Sequence, residues 1–302
     1  MLHCGVYGSH LSIAGGMHLA VEKMVELRLS ALQVFTKNQQ QWKVRPLDGG
    51  AVRQFREAAD AAGLGRIVSH ASYLINVASP DAQLRKKSED LLLEEVRRCD
   101  LLGIDYLVMH PGAHVGQGEA VGLKRVAASL GKILRQAGTR STTTVCLEST
   151  AGSGSNLGWH LDHLGGIIEL CKAGDRLGVC LDTAHLFAAG YDFRGRRYAQ
   201  FKRDCDAAFG LDRIKVWHLN DSKKDVGSRV DRHEHIGRGT IGDEGFRPIV
   251  RDRLWRETPK ILETPKGKTE AGVPWDRVNV ERLESLARPT AKPTARPRRN
   301  AS

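Results

Sequence analysis

Six cysteines occur in the 302 residues, at Cys4, Cys99, Cys146, Cys171, Cys180 and Cys205, and no two of them form a C-x-x-C pair. That absence argues against a zinc ribbon, a thioredoxin-like motif or a dense disulfide framework, and leaves buried reduced thiols as the simplest reading. No apolar run approaches the roughly 20 residues that span a bilayer, so no membrane insertion is expected. The stretch Met1-Leu2-His3-Cys4-Gly5-Val6-Tyr7 has neither a basic leader nor an apolar signal core, and reads as the mature start of a cytoplasmic protein. A G-x-G-x-x-G fingerprint is missing after the first expected strand, which weakens a Rossmann reading, and no repeat of residue identities supports a solenoid.

What the chain does have is basic charge and a period. The formal charge is +11 with a pI near 9.5. Such a surplus favours a polyanionic partner, because lysine and arginine replace the counterions condensed on phosphate backbones. From residue 287 the sequence reads ARPTAKPTARPRRNAS, a Pro-rich basic tail that cannot build a core; it holds five of the basic residues and leaves +6 for positions 1–286. It serves either as a disordered tether to DNA or as a solubilising extension.

Before that tail, short β-branched or apolar runs alternate with amphipathic stretches, as in parallel βα units. Strands are expected near 5–9, 31–35, 66–69, 105–109, 144–147, 178–181, 214–217 and 260–262. Helices are expected over 17–29, 52–62, 82–102, 124–137, 161–173 and 198–209, with Gly63, Gly103, Gly138, Gly174 and Gly210 just past five of them as C-terminal caps. Eight such units predict an α/β fold, a single-domain TIM (β/α)8 barrel over 1–286.

The side chains able to bind metal sit at the ends of these strands. They are His70, His110, Glu148, Asp182 with His185 just beyond, His218 with Asp231 and His233 in the loop that follows, and Glu263. In a barrel all these ends open on the C-terminal face, where active sites assemble. Five imidazoles and four carboxylates, with no thiolate, suit zinc or another borderline divalent ion, whereas magnesium would prefer nearly all oxygen; manganese is expected only as a substitute for zinc. Nine ligands exceed the needs of one ion, and a carboxylate such as Glu148 can bridge two, an arrangement suited to phosphoryl transfer. Taken singly, His70 or His218 also reads as a hydrogen-bonded structural histidine, and Asp182 or Glu263 as a helix cap. The joint pattern favours metal, since so many like charges on one face are costly without cations.

These segments resemble the endonuclease IV family of apurinic/apyrimidinic endonucleases. The resemblance runs through Gly8-Ser9-His10, Phe35-Thr36-Lys37-Asn38, His70-Ala71-Ser72-Tyr73-Leu74-Ile75-Asn76, His110-Pro111-Gly112, Leu147-Glu148-Ser149-Thr150, Leu181-Asp182-Thr183-Ala184-His185, His218-Leu219-Asn220-Asp221-Ser222-Lys223, Asp231-Arg232-His233-Glu234-His235-Ile236-Gly237 and Leu262-Glu263-Thr264-Pro265. It implies three zinc ions: one on His70, His110 and Glu148; one on Glu148, Asp182, His218 and Glu263; one on His185, Asp231 and His233. It further implies hydrolysis 5′ to an abasic site in duplex DNA by a zinc-held hydroxide, with Glu148 the catalytic bridge. The expected ends are a 3′-hydroxyl and a 5′-deoxyribose phosphate.

Asn38, Gln40, Gln41 and Tyr73 would contact the DNA and turn the damaged nucleotide out, with Arg232 on a phosphate. Lys37 and Lys223 would at most touch phosphate. Gln40 stands where some relatives carry arginine, which alters charge and stacking there. Tyr73 and Trp42 equally read as cover for the barrel core. A monomer without an obligate protein partner is expected, leaving the mouth open to duplex. Two rivals remain: a sugar isomerase on the same barrel, with fewer histidines and one or two ions, and a catalytically silent basic DNA-binding protein.

Overall fold

The computed structural model describes residues 5–288; positions 1–4 and 289–302, which hold most of the basic tail, lie outside it. The barrel strands are β1 (Tyr7–His10), β2 (Ala31–Val34), β3 (Ile67–His70), β4 (Tyr106–Met109), β5 (Thr144–Glu148), β6 (Leu177–Asp182) and β7 (Ile214–His218). A small antiparallel ribbon follows, β8 (Asp221–Ser222) on β9 (His233–Glu234), and then the last barrel strand, β10 (Lys260–Leu262). The eight barrel strands are all parallel and close on themselves, β10 pairing with both β7 and β1. This is the expected TIM barrel, with all eight strands in the expected places.

Around it lie α1 (Met17–Glu26), α2 (Gly49–Ala61), α3 (Ala82–Leu102), α4 (Glu119–Ala137), α5 (Leu161–Cys171), α6 (Thr183–Ala189), α7 (Tyr198–Phe209), α8 (Gly242–Arg251) and α9 (Trp275–Ala287). Short α6, Pro-containing α8 and α9 were not expected from periodicity. Several helix limits also differ: α1 ends at Glu26, short of residue 29, while α2 begins at Gly49 and α4 at Glu119, ahead of residues 52 and 124. Helix α5 stops at Cys171 and is capped by Lys172 in the left-handed conformation, so Gly174 opens a following 3₁₀ turn instead of capping α5. Helix α9 runs through Ala287, one residue into the stretch assigned to the tail.

Period two explains the barrel interior, since alternate side chains of a strand face the same way. Ala31, Val68, Val108, Cys146, Cys180, Val216 and Ile261 are fully buried and pack as one inner cluster, one residue from each of seven strands. On β1 the equivalent position is Gly8, where a Cβ would lie 2.3 Å from the Ala31 carbonyl oxygen, so only glycine lets β1 approach β2. Each fully buried Val or Ile here contributes roughly 1.5–3 kcal/mol. Outside the strands a second, larger cluster of Leu, Ile, Val and Phe joins them to the helices.

Candidate metal centre

Two residues beyond each inner position the strand again points inward, now at the open C-terminal end. The residues there are His10, Gln33, His70, His110, Glu148, Asp182, His218 and Glu263, a polar ring on an apolar layer. The strand ends thus bring together the six strand-borne ligands expected from sequence. Neighbouring segments add the other three: His185 in the first turn of α6, whose N-terminus Asp182 caps, Asp231 on the loop between β8 and β9, and His233 at the start of β9. The capping reading of Asp182 therefore holds alongside its place in the ring.

Glu148 is the hub. Its side chain is fully buried, with Oε2 at 3.0 Å from both His70 Nε2 and His110 Nε2, and Oε1 at 2.9 Å from His218 Nδ1 and 3.4 Å from His185 Nδ1. His218 Nδ1 is also 3.2 Å from Glu263. Asp231 spans the remaining pair, 3.2 Å from His185 Nε2 and 3.1 Å from His233 Nε2. Potential ligand atoms of His70, His110 and Glu148 lie within 4.8 Å of one another, as do those of Glu148, Asp182, His218 and Glu263, and those of Asp182, His185 and His233.

The histidine rings are held for ligation. His70 Nδ1 is 2.7 Å from the Ala71 carbonyl, His185 Nδ1 2.8 Å from that of Ser149, and His233 Nδ1 3.2 Å from that of Glu263. A carbonyl only accepts, so each Nδ1 donates and Nε2 is left for the centre. His218 is reversed: Nε2 donates to Gln33 Oε1 at 2.8 Å, and Nδ1 faces Glu148 and Glu263. His233 Nε2 is buried, with Asp231 at 3.1 Å and Asp182 at 3.8 Å as its nearest carboxylates. Asn220 donates to Asp182 at 2.6 Å and accepts from the Glu263 amide at 2.8 Å. Imidazole nitrogens with fixed tautomers, around shared carboxylates whose other oxygens are bonded, fit divalent cations.

Electrostatics say the same. Burial would raise Glu148, but His110 and His218 outweigh it and hold its pKa well below the carboxylate range. Burial likewise raises Glu263 and Asp231, yet His218 depresses the first, and His185 with His233 depress the second. Burial lowers the imidazoles, but they end high: His185 through Asp182 and Asp231, His218 through Cys180, Glu263 and Glu148, and His233, at about 9, through Asp182 and Asp231. Without metal, protons supply the positive charge that this many carboxylates require, so cation binding must expel them.

The sequence reading missed His10, Gln33 and Cys180. Gln33 Nε2 bonds Glu263 at 2.7 Å and lies 2.9 Å from His10 Nδ1, so both residues buttress the ligands. Their signal was available as the inward position two past Gly8 and Ala31, but a mid-strand amide does not look like metal chemistry. The Cys180 sulfur lies within 4.8 Å of ligand atoms of Glu148 and His218, so the donor set is not wholly free of sulfur.

Of the expected DNA contacts, Asn38, Gln40 and Gln41 are exposed on the loop after β2, where Asn38 Oδ1 accepts the Gln40 amide. Tyr73 is 59% exposed with its ring 5.1 Å from that of His70 and 6.0 Å from that of His110, so it stands over the ring of ligands. Trp42 instead packs against the core beneath Lys87. Arg232 is exposed beside Asp231. Lys37 is turned inward, 3.6 Å from buried Glu95, and is not free to meet a phosphate. Two pockets flank the centre, one of about 290 Å³ beside His70 and His110 and one of about 800 Å³ between His10, Phe35 and Lys266.

Fold and site together define a barrel with clustered residues able to bind metal at its mouth, of the xylose isomerase-like TIM barrel family, whose model matches residues 21–288. A probable endonuclease 4 from Chloroflexus aggregans (strain MD-66 / DSM 9485) is 46% identical over 286 residues, covering 94% of this chain and 99% of that protein. The crystal structure of endonuclease IV from Thermus thermophilus superposes with a TM-score of 0.81 at 38% identity, covering 93% and 98% of the two chains. The chain belongs to the endonuclease IV family, and is a nuclease. A D-tagatose 3-epimerase-like protein, at 20% identity and a TM-score of 0.68 over 93% and 97% of the chains, shares the fold alone. Among the described residues no helix is long and apolar enough to cross a membrane.

Proposed function

We propose that this protein hydrolyses the phosphodiester bond 5′ to an abasic site in duplex DNA, leaving a 3′-hydroxyl and a 5′-deoxyribose phosphate. It does so as a cytoplasmic monomer with three zinc ions, for which manganese can substitute. The observation that carries the reading is the single buried carboxylate of Glu148 between four imidazoles, common to two of the ligand clusters.

His70, His110 and Glu148 hold the first ion, Glu148, Asp182, His218 and Glu263 the second, and His185, Asp231 and His233 the third. Bound there, zinc activates water near neutral pH and stabilises negative charge on the departing oxygen. The chain's own work is to fix those charges and present the lesion. Glu148 keeps the clusters in register, and Gln33 and Asn220 orient His218, Glu263 and Asp182. Tyr73 offers a ring above the ligands for an everted sugar, while Asn38, Gln40 and Gln41 fill the space it leaves in the stack. Arg232 meets a backbone phosphate next to the third cluster.

The test is incision of a duplex with one abasic-site analogue, before and after metal stripping, with Glu148→Gln alongside. Cleavage immediately 5′ to the lesion, lost on stripping and restored to the wild type by zinc, is expected. A fully metallated protein that leaves the duplex intact overturns the reading.

A further inference from the structure

Helix α3 is amphipathic, yet its buried face carries a carboxylate and a guanidinium one turn apart, Glu95 at 2% and Arg98 at 5% exposure. Neither touches the metal ligands. Glu95 receives the Ser72 amide on both oxygens, at 3.3 and 3.2 Å, and faces the Lys37 ammonium at 3.6 Å. Lys37 in turn donates to the carbonyls of Asn38 and Gln41, at 3.0 and 2.9 Å. Ser72 Oγ closes the circuit by donating to the Gln39 carbonyl. Arg98 binds the carbonyls of Thr36 and Arg45, the two ends of the same loop. A buried ion pair of this kind is often no more stabilising than apolar packing of equal volume, so stability by itself is a weak account of it. What it joins is specific: the loop after β2, which bears Asn38, Gln40 and Gln41, and the loop after β3, where Tyr73 adjoins Ser72.

We infer that Glu95 is a positioning residue for lesion recognition, latching the loops after β2 and β3 together through Lys37 and Ser72. The inference rests on the proposed abasic-site activity. With the latch intact the two loops reach the duplex as one rigid body, and no loop-ordering cost falls on binding. With it broken, each loop must be ordered separately by the DNA, so lesion affinity suffers while the metal chemistry does not.

The experiment compares wild type with Glu95→Gln, Lys37→Met and the double variant on an abasic duplex carrying 2-aminopurine opposite the lesion. It measures KM, kcat, bound zinc, the thermal midpoint and the fluorescence rise that reports unstacking. Each single variant is expected to raise KM about tenfold and blunt the fluorescence rise, with kcat within about twofold and zinc content unchanged. The double variant should be no worse than the poorer single one, since both break the same latch. A wild-type KM in Glu95→Gln overturns the inference, as does a joint fall of kcat, zinc content and thermal midpoint, which marks a merely structural role. Failure of the wild type to act on the abasic duplex is a different result, and overturns the functional reading instead.

Discussion

The inner face of each barrel strand holds two positions of opposite character, only two residues apart. The lower layer, from Ala31 to Ile261, is small, apolar and closed; the upper ring, from His10 to Glu263, is polar and crowded with ionisable groups. Burial alone explains the first, which adds to the stability drawn from the larger cluster between strands and helices. The second is an assembly of buried charges that burial opposes, persisting because imidazolium and carboxylate neutralise one another until cations take over. Stability and chemistry thus occupy alternate steps of the same strands, and it should be possible to damage either while sparing the other.

The largest expected effect comes from Glu148→Gln, which removes the charge shared by two clusters. Incision should fall by about 10³-fold or more and bound zinc should drop, while the fold, followed by circular dichroism of the stripped protein, persists. The lower layer should respond in the opposite sense. Ile261→Ala leaves a cavity that costs about 2–5 kcal/mol by denaturant unfolding, yet zinc content and incision of the folded fraction should stay near wild type. Equal damage to activity from both variants would erase the distinction between the layers.

Gln33→Leu sharpens it further, because this side chain belongs to the upper ring without being a ligand. Zinc affinity, read by competition with a chelator, should weaken about 10–100-fold with little change in unfolding free energy. The smallest effect is a pH dependence. The His233 pKa is raised from 6.5 to about 9 by Asp182 and Asp231, against burial. In the stripped protein its contribution to stability is therefore fully present below pH 6.5 and lost as pH rises through about 9. The depressed carboxylates Glu148, Glu263 and Asp231 act in reverse, contributing above their unfolded values and failing as pH falls. The stripped protein should melt at a lower temperature at about pH 9 than at about pH 6.5. Zinc loading should remove that decline, and a decline persisting with zinc bound would count against His185, His218 and His233 together as ligands, since all three are raised in the stripped protein.

The parts legible in the sequence share one property: their signal is local. The eight strands announce themselves by β-branched runs, and His70, His110, Glu148, Asp182, His218 and Glu263 by chemistry at the end of each run. Gln33 gave no such signal, because an amide inside a strand acquires meaning only once register sets it against Glu263 and His218. Glu95 and Arg98 were hidden for a related reason, since charged residues on a long helix normally face solvent, and only the close approach of two loops buries them. The shortfall at α5 came from taking glycine as the default cap where Lys172 adopts the left-handed conformation itself. Helices α6, α8 and α9 were missed because one is seven residues long, one contains Pro248 and one has only a narrow apolar stripe.

Closure of the barrel between its first and last strands carries a consequence for a shortened chain. Strand β1 is made within the first ten residues but pairs with β10, which ends at Leu262, immediately before the last ligand, Glu263. A chain that lacks β10 therefore has neither a closed barrel nor Glu263, the last of the candidate ligands. The seam where the barrel shuts thus ties closure of the sheet and completion of the candidate metal-binding set to the same strand.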